Sequence, residues 1–152
     1  MGSKFEPTDD DYEVKVRESF RRQEIMKTVN ASIFAIRPGE VELEFPYQSS
    51  LTQQHGFIHA GVVSTVLDSA CGYAAFSLMP INAAVLTIEF KVNLLSPARG
   101  ERFRAIGTVI KPGKNITVTK GDLFAYVDDE QKLVATMTGT IMSVYDREGV
   151  KQ

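Results

Sequence analysis

Residues 55–76 read HGFIHAGVVSTVLDSACGYAAF. After His59 the only charged side chain in this run is Asp68, set among Val62, Val63, Val66, Leu67, Ala70, Cys71, Ala74, Ala75 and Phe76. Apolar residues occupy most of the circumference, so the pattern predicts a buried helix of about seventeen residues, roughly 27 Å long. It is too short and too often interrupted by polar residues for a membrane span. A carboxylate is seldom put inside a protein unless something pairs with it or uses it. Asp68 is therefore the residue around which a function has to be built.

Outward from the helix, the chain alternates between strand patterns and turn signals. Upstream, Thr8 followed by Asp9, Asp10 and Asp11 predicts a capped helix start after a loose lead-in over residues 1–7. Tyr12, Val16, Phe20 and Ile25 then make an apolar stripe to about Lys27. Arg37-Pro38-Gly39 separates two short strands, residues 31–36 and 40–45. In the second, Val41, Leu43 and Phe45 alternate with Glu40, Glu42 and Glu44, which implies one buried and one wet face. Downstream of Met79-Pro80 come four strand-like runs, residues 85–95, 102–110, 116–127 and 133–144. Leu86, Ile88, Phe90 and Val92 of the first read as one face. Short turns between the runs predict an antiparallel meander. The reading is α+β: an antiparallel sheet and one long, largely apolar helix, preceded by an N-terminal helix. Residues 1–28 form the lead-in and amphipathic helix, residues 29–147 the main body, all in one domain. A helix apolar on nearly every side needs cover on every side, which favours a homo-oligomer.

Composition narrows the function classes. Hydrophobic residues at 43% and charged residues at 24% are those of a soluble globular protein. A net charge of −2 gives no electrostatic reason to expect nucleic acid or an anionic membrane as partner. One cysteine, Cys71, and no secretory or lipidation pattern fit a reducing, cytoplasmic setting. His55 and His59 have the four-residue separation of helical zinc ligands, but Gly56 lies between them and no Glu follows His55, so no metal site is expected.

The segment Gln53-Gln54-His55-Gly56-Phe57-Ile58-His59-Ala60-Gly61, with Asp68 following, resembles the hotdog-fold acyl-CoA thioesterases. The nearest branch is the PaaI-like group, related to the 4-hydroxybenzoyl-CoA thioesterases. The turn Leu95-Ser96-Pro97-Ala98-Arg99-Gly100 resembles that family as well, and the likeness covers about residues 30–145. It implies a curved sheet wrapped around the central helix, with sites at a subunit interface in a dimer or dimer of dimers. It also implies that Asp68 acts as nucleophile or general base and that the Ala60 N–H polarises the thioester carbonyl. Gln53 would hold the carbonyl or the water, and Thr87 would assist the water. The family usually has Gly where Ala60 stands, but a backbone N–H is supplied by either residue.

His59, Ala60 and Gly61 fall in the first turn of the helix, where N–H groups lack internal partners and the dipole favours negative charge. Ala60 and Asp68 are about 12 Å apart by helical rise, so one Asp68 cannot easily serve its own Ala60. A neighbouring subunit's carboxylate could. Binding candidates are Phe57, Ile58, Tyr73, Phe76 and Met79 for the acyl part, His55 for the substrate more generally, and Arg99, Lys111, Gly113 and Lys114 for CoA phosphates. The expected reaction is hydrolysis of an acyl- or aryl-CoA thioester, with no cofactor. The rivals are a non-catalytic acyl-CoA binding or sensor protein, and a hotdog-fold hydratase or dehydratase.

Overall fold

In a computed structural model that describes residues 3–152, the chain forms α1 (Tyr12–Arg22), α2 (Glu24–Thr28), β1 (Ser32–Arg37), β2 (Glu40–Pro46), α3 (Ala60–Phe76), β3 (Ala83–Leu94), β4 (Arg102–Lys111), β5 (Ile116–Val127) and β6 (Glu130–Tyr145). All six strands join one antiparallel sheet in the order β1-β2-β4-β5-β6-β3. Helix α3 lies on one face of it, touching β2, β3, β4, β5 and β6. No helix among the described residues is long and apolar enough to cross a membrane.

The 17-residue α3 is the buried helix that its composition predicts. Val63, Val66, Leu67, Ala70, Cys71 and Ala74 enter a single core with Val41, Leu43, Phe45, Phe103, Ala105, Leu123 and Met137 from the sheet. Close approach depends on small residues. A Cβ built on Gly107 of β4 would lie 2.3 Å from the carbonyl carbon and oxygen of Ala70 in the helix backbone. Gly107↔Gly121 pairing continues this flat seat onto β5. Backbone cannot step aside as a flexible side chain can, so Gly107→Ala should lower unfolding stability by about 1–3 kcal/mol or more. Denaturant midpoints of the two proteins measure it, and a change within error would mean that the helix seat is looser than described.

Four features differ from the sequence reading, each for a local reason. The lead-in is tied down: Ser3 Oγ donates to the Pro38 carbonyl at 2.7 Å and Phe5 packs against the core; residues 1 and 2 lie outside the described residues. Thr8 does not cap α1: the helix begins only at Tyr12, with Asp11 in the cap position, and the Thr8 hydroxyl donates to the Leu78 carbonyl at 2.7 Å. The N-terminal helix also breaks at Gln23, whose extended backbone turns Ile25 outward and buries Met26 instead. Finally, the last four strands are not one meander. β4, β5 and β6 are, but β3 pairs with β6 at the sheet edge. The Leu95–Glu101 connection therefore crosses the ends of two strands: Leu95 and Ser96 N–H groups donate to the Val134 carbonyl and Glu101 N–H donates to that of Tyr126.

The charged row on β2 is less wet than its alternation suggests. Glu42 is only 8% exposed, held by Arg37 at 2.9 Å and Arg104 at 3.7 Å. Arg104 also forks onto Glu44 and lies over the Phe34 ring. Paired and stacked in this way, the carboxylates are covered without being orphaned.

Candidate active site

Asp68 is placed by two elements. Along α3, the residues not buried are Ala60, Gly61, Val62, Ser64, Thr65 and Asp68. The spacing of Gly61, Thr65 and Asp68 makes one open stripe running from the helix N-terminus to the carboxylate. Opposite lies β3, a free edge strand whose residues Thr87 to Lys91 are all exposed. A bulge between Thr87 and Glu89 shifts the register there. Before it, Thr87 pairs with buried Ile141 and faces the helix; after it, Phe90, Val92 and Leu94 pair with Gly139, Met137 and Ala135 on that same side. Leu86, paired with Met142, is left on the other. The single face read for Leu86, Ile88, Phe90 and Val92 is thus split by one extra residue.

Thr87 Oγ1 donates to Asp68 Oδ1 at 2.7 Å. Burial pushes the Asp68 carboxyl above the ordinary aspartate value, while the Thr87 hydroxyl pulls it back by stabilising the ionised form. If the ionised form is the active one, the acid limb of the pH–rate profile lies above the ordinary aspartate range. Thr87→Val removes the only opposing cause and should move that limb to still higher pH, with a loss of about tenfold in rate below it. A limb that stays in place would mean that Asp68 does not report in the profile.

At the other end of the stripe, His59 caps α3. Its Nδ1 accepts the Gly61 N–H at 2.8 Å, which requires the ring proton, in the neutral form, to sit on Nε2. Gly61 permits this, since a Cβ there would come 3.0 Å from that nitrogen. The Val62 and Val63 N–H groups go to the His59 carbonyl and the His59 N–H to that of Leu51. Among the described residues the Ala60 N–H has no acceptor, so it is the helix-start donor left over. Gln53 stands nearby, its Oε1 taking the His55 N–H. Gln53, Phe57, Ile58 and Ala60 border one cavity of about 460 Å³, otherwise walled by Ser96 and by apolar side chains that include Val63 and Leu94.

The remaining candidates are scattered. His55 is exposed. Tyr73 is buried in the core at 4% exposure, against Phe20 and hydrogen-bonded to Ser19, away from the open stripe. Arg99 lies over the Phe57 ring at 5.1 Å. Gly113 and Lys114 border a different cavity beside Ala75 and Met79, at the C-terminal end of α3, with Lys111 at the end of the preceding strand. Burial pushes the Cys71 thiol up to about 12, which leaves it without nucleophilic character. Sequence reasoning did not single out Leu94 and Val134 as cavity walls or Phe90 and Val92 as lying on the Asp68 side. The bulge and the crossing connection put them there, and neither has a signature in residue types.

Comparison with known proteins follows the same line. The sequence model of the thioesterase superfamily matches residues 55–131. A crystal structure of a thioesterase family protein from Silicibacter pomeroyi is 58% identical, with a TM-score of 0.87, over 88% of this chain and 98% of that one. The medium/long-chain acyl-CoA thioesterase YigI of Escherichia coli is 29% identical over 98 residues, 56% of this chain and 61% of that protein. The E. coli PaaI protein from the phenylacetic acid degradation operon shares the fold at a TM-score of 0.79 and 18% identity, over 88% of this chain and 94% of that one.

Proposed function

The chain belongs to the thioesterase superfamily, with the sheet and central helix of the hotdog fold, and from that premise we propose that it hydrolyses acyl-CoA or aryl-CoA thioesters to the free acid and CoA. The observation that carries the reading is the half-buried Asp68 carboxylate, held by Thr87 on an open helix stripe that begins at an unpaired N–H. A CoA ester is favoured among thioesters by the likeness to YigI, whose name specifies acyl-CoA.

The chemistry divides between the two clusters. A thioester carbonyl seated at the Ala60 N–H gains negative charge on oxygen as the tetrahedral state forms, and a donor fixed at a helix start stabilises that state selectively. Gln53 offers its NH₂ group beside it. Asp68 takes a proton from water as the water oxygen bonds to the carbonyl carbon; collapse then breaks the C–S bond and the leaving thiolate picks up the proton. Direct attack by Asp68 would instead form a mixed anhydride that water cleaves, with the same products. His59 fixes the helix start and does not itself exchange protons with substrate. Among the basic groups, Lys111 and Lys114 near the Gly113 turn are the phosphate contacts of this proposal.

The two clusters are about 12 Å apart along one helix, so a complete site needs the Asp68 of a second copy. Exposed Leu86, Ile88, Phe90 and Leu94 on the free edge strand support that association, since an unpaired apolar edge is a pairing surface. The test is CoA-thiol release from a panel of short, medium, long and aryl CoA esters. Turnover of at least one class is expected. Binding of a CoA ester with no thiol release would instead establish a non-catalytic binder.

A further inference from the structure

The 460 Å³ cavity beside Ala60 does not end in the core. A second cavity, of about 720 Å³, lies across Phe57 and Pro97, which line both. The far cavity is lined by Ala125 and Val127 and by charges of both signs, Arg99 and Lys132 with Asp128 and Glu130. Pro97 is a rigid ring with a fixed backbone torsion, so the movable part of the seam is the Phe57 side chain. Its backbone is pinned: the Phe57 carbonyl accepts the Gln53 N–H at 2.9 Å, and the next residue, Ile58, donates to the Ala98 carbonyl at 3.1 Å. The ring itself is covered from outside by the Arg99 guanidinium, 5.1 Å from its centre.

We propose that Phe57, latched by Arg99, is the gate that sets acyl-chain length: chains that fill the smaller cavity are accepted, and longer ones must displace the ring to reach the second. The proposal rests on the thioesterase reading above. The arm of the substrate that enters beside Ala60 is assigned from the wall chemistry. Ile58, Val63, Leu94, Val134 and Ala135 suit methylenes, each of which gains by leaving water. The pantetheine arm carries amides, for which the polar side chains of this wall are limited to Gln53 and Ser96, and buried unpaired amides are costly.

The experiment compares kcat/KM for octanoyl-CoA and palmitoyl-CoA in the wild type, Phe57→Ala and Arg99→Gln, with thermal melts of all three. Removing the ring joins the cavities, so the palmitoyl-to-octanoyl ratio should rise at least about tenfold in Phe57→Ala. A smaller rise is expected in Arg99→Gln, whose exposed position spares the fold. An unchanged ratio in a folded Phe57→Ala protein, or an equal fall for both esters, overturns the gate; the equal fall is what a pantetheine passage would produce. If Phe57→Ala does not fold, an unchanged ratio in Arg99→Gln overturns it. A wild type that hydrolyses neither ester but turns over a short-chain or aryl CoA ester overturns the gate and leaves the functional reading standing; no thiol release from any ester of the panel overturns both.

Discussion

Asp68→Asn should hydrolyse CoA esters more slowly than the wild type by about 10²-fold or more, because Asn keeps the size and still accepts the Thr87 hydroxyl but cannot take a proton or attack as a carboxylate. The loss should fall on kcat more than on KM, since the carboxylate acts on the reacting atoms. The same variant carries an opposite prediction for stability. Burial raises the folded-state pKa of Asp68, so the fold favours the protonated form. The stabilisation that comes with protonation is full below the unfolded-state value and is lost as pH rises through the folded value. At neutral pH the ionised carboxylate is therefore a burden, and Asp68→Asn should melt higher than the wild type. That advantage should shrink as the pH is lowered. Slower turnover with higher stability is the signature of a strained functional group; a variant both slower and less stable would instead mark Asp68 as a structural contact.

The second large effect belongs to a backbone atom. Ala60→Pro deletes the N–H that the helix start leaves without an acceptor among the described residues, and the local geometry admits the ring. Proline is favoured at the first helical position, where its missing N–H and fixed torsion cost nothing. The residue before it must be extended, and His59 already is, at φ −61° and ψ 139°. The expected result is an unchanged melting profile with kcat lowered about 10²–10³-fold, the range found when one oxyanion donor is removed. Retained activity would mean that the thioester oxygen is polarised elsewhere.

How far these sites could be read from residues alone depends on the range of the interaction. The buried helix with its lone carboxylate is a local pattern, and α3 appears at Ala60–Phe76 accordingly. The turn signals at Pro38-Gly39, Met79-Pro80 and Ser96–Gly100 fall between elements for the same reason. What escaped were long-range choices. Thr8 had two partners open to it, the N–H donors of its own helix and the Leu78 carbonyl as acceptor, and only the fold decides between them. The pairing of β3 with β6 rather than β4 is set by where α3 and the crossing connection fit, not by the lengths of the runs. The bulge after Thr87 reverses the face of everything beyond it while leaving the hydrophobic alternation intact to the eye. The family resemblance gives Thr87 the role of assisting the water; its place beside Asp68 comes from the strand register, which turns it toward the helix. A charge on a turn such as Arg99 carries no hint of the aromatic ring stacked beneath it.

The central claim, that each site combines the Ala60 N–H of one chain with the Asp68 of another, is tested most directly by subunit mixing. Asp68→Asn and Ala60→Pro chains, carrying different tags, are co-expressed in equal amounts, and CoA-ester hydrolysis is measured on the mixed population. In a mixed dimer, one site joins the intact Ala60 of the first chain to the intact Asp68 of the second, while the other site lacks both. With random pairing, half the dimers are mixed and half of their sites work, so activity should recover to about a quarter of the wild-type rate, although each variant alone is nearly inactive. If assemblies purified through both tags are no more active than the single variants, the two groups do not meet across subunits, and the proposed site is wrong.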